Sequence, residues 1–132
     1  AELDRLDDEF IEEVRMRVPI ISSTLADIRA QGSTDFVTAS QLDPIFQQVE
    51  ALYDMAGHVQ ATRITMFLQG LRSFLMVAAY RKTSTLGQRL GTVETRIHSL
   101  IPMAEQWGNI GRVERSAISA ILPTSQAPEG QA

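Results

Sequence analysis

The chain has 132 residues, 44% apolar and 21% charged, which suits one soluble domain with a single core. Its formal net charge of −4 argues against a general binder of nucleic acid or anionic membrane, since both need a basic surface. The absence of cysteine excludes disulfides and thiolate chemistry, and two distant histidines are too few for a conventional zinc site.

Apolar residues recur at helical spacing along nearly the whole chain, and no stretch shows sustained alternation, so the expected fold class is all-α. The first helix is expected from about Asp4 to Ala30, with Leu6, Phe10, Val14, Ile21, Leu25 and Ile28 as its apolar stripe. Pro19 interrupts it and should kink or break it, because proline removes one backbone donor. The acidic cluster Asp7-Asp8-Glu9 and Glu12-Glu13 on this helix reads as a solvated face that suits a helix N-terminus. Residues 32–40 (GSTDFVTAS) read as a loop. Asp43-Pro44 reads as the start of the second helix, with Asp43 as N-cap and Pro44 in the first helical position.

That second helix carries Leu42, Ile45, Val49, Leu52 and Ala56 within roughly 80° of each other on a helical wheel. Phe46, Glu50, Tyr53 and Gly57 form a second stripe, roughly 90° away from that core centre. A face with an aromatic, an acid, a phenol and a glycine must pack on another helix or be offered to a partner. The third helix is expected from about Ala61 to Tyr80 and the fourth from about Ser84 to Ile101, where Pro102 marks a boundary. A short last helix, about Asn109 to Leu122, completes the expected architecture: an antiparallel up-down four-helix bundle with an extra short C-terminal helix. The domain is thus expected over residues 1–122, with a disordered Pro- and Gln-containing tail over 123–132.

Catalytic signatures are scarce. No Gly-rich phosphate loop, HExxH or GxSxG occurs, and no catalytic residue, metal ligand or cofactor site is assigned. His98 beside Ile97 reads as a structural histidine and Trp107 as a core plug. Arg63, Arg72, Arg81, Lys82, Arg89 and Arg96 fall in one third of the chain and leave room for a local basic patch. No apolar run approaches the roughly 20 residues that span a bilayer. The acidic start Ala1-Glu2-Leu3-Asp4 does not read as a signal peptide, and a chain opening on alanine is compatible with an excised fragment. A cytoplasmic location is expected.

Two segments carry a family resemblance. Phe10-Ile11-Glu12-Glu13-Val14 matches an early F-x-x-E helix, and Asp43-Pro44-Ile45-Phe46 through Ala56-Gly57 matches, without a gap, the frame I-F-x-x-x-H-x-x-K-G-x-A-G. On these residues the chain resembles the histidine phosphotransfer family, particularly the N-terminal phosphotransfer domain of chemotaxis-type histidine kinases. The resemblance spans about residues 8 to 106, with Ile64 through Leu75 as a looser parallel to the next family helix. The framework positions Ile45, Phe46, Leu52, Ala56 and Gly57 agree, but the three chemical positions do not. Glu50 stands where the family has its phosphoacceptor histidine, Tyr53 where it has lysine, and Asp54 where it has glycine.

Phosphotransfer needs a neutral imidazole as nucleophile and a cation to stabilise the moving charge. This frame has neither, and its added acid repels phosphate. The resemblance therefore implies a non-catalytic pseudo-phosphotransfer domain of bacterial two-component or chemotaxis-like signalling. It would bind a response-regulator receiver domain or a histidine kinase through Phe46, Glu50, Tyr53, Asp54 and Gly57. Two alternatives stay open. One is a helical dimerisation or scaffold module, a homodimer through Met66, Phe67, Phe74 and Met76. The other is a relay that uses a displaced histidine, His58 or His98.

Overall fold

A computed structural model describes residues 2–31, 39–80 and 86–122, with backbone alone at 79–80 and 86–87. The described residues form helices and no strand: α1 (Glu2–Ala30), α2 (Ala39–His58), α3 (Thr62–Tyr80), α4 (Leu86–Ile97) and α5 (Leu100–Ile121). The all-α expectation holds. The expected tail, most of the first loop and the expected start of the fourth helix at Ser84 lie outside the described residues.

Helix α1 is the hub. It packs on α2, α4 and α5, while α2 also packs on α3. Side-chain pairs fix the directions. Gln41 donates to Gln31 at 3.4 Å and Arg17 to Gln48 at 2.7 Å, so α2 runs antiparallel to α1. Glu50 pairs with Arg72 across the short turn between α2 and α3. Arg29 pairs with Glu94, His98 and Ser22 meet at 2.9 Å, Arg15 lies 2.7 Å from Glu105, and Arg115 lies 2.5 Å from Asp4. Residue numbers rise along α4 and α5 as they fall along α1. The two helices therefore form one antiparallel arm laid along nearly the whole of α1.

Three local expectations change. Pro19 does not break α1, which is continuous over 29 residues. Val14, Val18, Ile21 and Leu25 are all at most 1% exposed on either side of it, and burying each contributes about 1.5–3 kcal/mol. That outweighs the roughly 3 kcal/mol cost of an internal proline. Helix α2 begins at Ala39 rather than at Asp43, with Pro44 inside it. Starting earlier brings Leu42, 2% exposed, into the helical core stripe, and Pro44 near the N-terminus removes little of the ladder. Finally, the last helix is not short. The boundary falls at residues 98–99, ahead of Pro102, which is the third residue of a 22-residue α5. A proline in the first turn loses no bond within its own helix. Ser99 keeps helical angles (φ −64°, ψ −20°), and Ile101 donates to the His98 carbonyl at 3.3 Å, so the arm continues with only a local interruption.

Helix α2 ends in a Schellman motif. The Ala61 N–H donates to the Ala56 carbonyl at 2.8 Å and the Gln60 N–H to the Gly57 carbonyl at 3.2 Å. Gln60 takes the left-handed position, φ 61°, that glycine usually fills. Ala61 and Ala56, which this motif brings together through their backbone bond, are both fully buried.

Candidate functional site

The core stripe of α2 (Leu42, Ile45, Val49, Leu52, Ala56) is buried as its periodicity requires, and this decides what the remaining faces present. Phe46 and Tyr53 are half-buried and pack against the core. Between them on the helix surface, Glu50 forms an ion pair with Arg72 of α3, their side chains 31% and 35% exposed. The Arg72 guanidinium also lies 5.0 Å from the centre of the Tyr53 ring, within cation–π range. The stripe is therefore shared between two helices, with Arg72 binding an acid and a ring of α2 at once.

At this exposure an ion pair contributes about 0–1 kcal/mol and a cation–π contact about 0.5–1 kcal/mol. The cluster orients its side chains more than it stabilises the fold. It holds a carboxylate, a guanidinium and a phenol, and no imidazole.

The five residues expected to bind a partner differ in their surroundings. Glu50 and Tyr53 adjoin α3 through Arg72, and Phe46 packs against the core. Asp54, one helical turn after Glu50, is exposed and lines a groove between α1 and α2. Gly57 is exposed, and a side-chain carbon added there would meet nothing within 4 Å. It is not needed for packing within the domain.

Arg72 is the member that the sequence reading missed. A signal existed: Glu50 and Arg72 stand at equal sequence distances from Ala61, the residue at the turn, so antiparallel helices must place them opposite one another. The same pairing takes Arg72 out of any basic patch.

The other candidates fall elsewhere. His58 is exposed at the end of α2 and lines the α1–α2 groove beside Asp54. His98 bonds the Ser22 hydroxyl, a contact that ties α5's approach to α1. Trp107 packs edge-on to Phe10, ring centres 5.5 Å apart at 84°, as a plug between α1 and α5. Of the expected dimer face, Met66 and Met76 are 69% and 50% exposed, but Phe67 and Phe74 pack against the core. Among the described residues, no three metal-ligating side chains converge, and no helix is long and apolar enough to cross a membrane.

The acidic N-terminal part of α1 departs most from its expected role as a wholly solvated face. Asp7 is buried, 4% exposed, and its carboxylate accepts from Arg115 at 2.6 Å. Arg115 also bonds Asp4, and Arg112 bonds Asp8 at 2.5 Å. The hydrogen bond from Arg115 holds the Asp4 carboxyl below its usual range, and that from Arg5 does the same for Glu2. Burial works against the charge on Arg115, but its bonds to Asp4 and Asp7 win and raise its pKa further. Gly111 permits this approach: a side-chain carbon there would lie 3.1 Å from the Arg115 guanidinium. These contacts exist because α5 is long enough to reach the start of α1.

No protein-family model, curated protein or solved structure matches the chain significantly.

Proposed function

We propose that the chain is a non-catalytic docking module: an up-down bundle whose fourth arm is α4 with α5, and a pseudo-phosphotransfer domain that binds a receiver domain or histidine kinase without relaying phosphate. The reading rests on the resemblance along α2. The observation that carries it is the state of the phosphoacceptor position: Glu50, at the surface between α2 and α3, is ion-paired to Arg72, which covers the Tyr53 ring. Glu50 is not the imidazole that the resembled family uses to carry phosphate, and held by a cation of its own domain it presents a fixed pattern of charge and ring to a partner. Phe46 at one end and Gly57 at the other flank that pattern, and Gly57 allows close approach. The proposed setting is cytoplasmic.

The test is calorimetric titration with receiver domains and kinase fragments. Binding is expected, and Glu50→Arg combined with Tyr53→Ala abolishes it. Gly57→Ala, which stabilises the free helix by about 1 kcal/mol, weakens it. If no such domain binds, or if binding survives the double substitution, the docking face is wrong. Incubation with a phosphorylated donor labels neither the native chain nor Glu50→His; acid-labile label that disappears in His58→Ala overturns the non-catalytic reading.

A further inference from the structure

A second surface, separate from the α2–α3 face, lies between the N-terminal half of α1 and the C-terminal end of α2. It is an open groove of about 1050 Å³. Leu6, Phe10, Met55 and Val59 form its apolar part. The α1 wall carries Asp4, Asp8, Glu9, Glu12 and Glu13 together with Arg5, and the α2 wall carries Asp54. Most of these acids have arginine partners: Asp4 has Arg115, Glu9 has Arg5, Glu12 has Arg15, Glu13 has Arg17 and Asp8 has Arg112.

The pairing does not neutralise this end of the molecule. The groove's acids, the arginines that bind them and the further acids on those arginines (Glu2, Asp7 and Glu105) amount to nine carboxylates and five arginines. Their balance of −4 equals the formal charge of the whole chain, so the remainder of the sequence is neutral. Of the charged side chains that line the groove itself, six are carboxylates and one, Arg5, is a cation, so the lining is acidic.

We propose that this groove binds a cationic amphipathic helix of a partner protein. The apolar floor between two helices takes the apolar stripe of such a helix, with anchors one turn apart. The flanking lysines and arginines then meet acids on both walls, which steers encounter as well as fixing orientation. An extended peptide is disfavoured, because the walls are helices whose backbone groups are already bonded and offer no sheet edge. An anionic lipid surface is repelled by the same charge.

Trp107 supplies a reporter. It is the chain's single tryptophan and packs on Phe10, whose ring lines the groove. The probe is a leucine–lysine peptide of about 18 residues, five helical turns, with leucines on one face. Titration followed by calorimetry and Trp107 fluorescence is expected to show saturable binding that weakens at least about tenfold as salt shortens the screening length. Asp54→Lys with Glu9→Lys, both exposed positions, is expected to weaken it by about tenfold or more while the thermal midpoint stays near that of the native protein. A leucine–glutamate peptide of the same pattern does not bind. Three results overturn the proposal: equal affinity for the acidic peptide, undiminished binding in the charge-reversed variant, or a homodimer in sedimentation that the reversal dissociates, which would make a second copy the occupant.

Discussion

Removing Arg115 tests how the end of α5 is held. Beyond Gly108 no described side chain of α5 is fully buried, and Ile110, Val113, Ile118 and Ile121 are all more than half exposed. The hold on α1 in this part is ionic: Arg112 to Asp8, and Arg115 to Asp4 and Asp7. Asp7 is the only buried charged residue among those described, with a side chain 6% exposed. Arg115→Met keeps the aliphatic stem and leaves Asp7 buried without its cation. Breaking a buried pair costs about 3–5 kcal/mol, but Arg115 is 31% exposed and water screens part of that, so about 2 kcal/mol is expected. With an unfolding entropy of about 2.1 cal/mol/K per residue, the thermal midpoint falls by roughly 7 °C. Asp7→Leu in the same background removes the stranded charge and should return to within about 1 kcal/mol of the native protein. Urea unfolding of the native chain, both single variants and the double variant closes the cycle. A loss under about 0.5 kcal/mol for Arg115→Met, or a double variant no better than the sum of the singles, refutes the claim that this pair fastens α5. Amide exchange should also show faster opening of residues 112–121 in Arg115→Met than in the native chain.

Two further expectations follow from local geometry. Gln60→Gly relieves a left-handed residue at the α2 C-cap; the strain of about 1–2 kcal/mol, offset by glycine's greater freedom in the unfolded chain, leaves a gain of about 0.5–1 kcal/mol in urea unfolding. Asp4, whose pKa is lowered mainly by the Arg115 hydrogen bond, stabilises the fold above its unfolded value near pH 4 and loses that contribution as pH falls through its lower folded value. Thermal midpoints of the native chain and Asp4→Asn should therefore differ at neutral pH and converge as pH falls below about 4; a difference that grows on acidification contradicts the assignment.

Fold class and buried faces were legible in the sequence because burial follows helical period. Leu42, Ile45, Val49, Leu52 and Ala56 were read as one face and are buried as one face. Prolines misled because their effect depends on position within a helix that only tertiary packing delimits. Pro19 is carried by the buried residues around it. Pro44 and Pro102 sit inside their helices near the N-termini, where few backbone bonds are lost.

The candidate site was half legible. The wheel placed Phe46, Glu50 and Tyr53 together, a property of one helix. Glu50's partner Arg72, the place of Asp54 in a groove shared with α1, and the burial of Asp7 each require a second helix. The sequence by itself determined which residues share a helix face, since about 100° per residue is a local rule. Only the tertiary structure decided which faces meet. Glu50 and Asp54 are four residues apart on one helix; contact with α3 ties one to a cation, and the groove beside α1 leaves the other exposed.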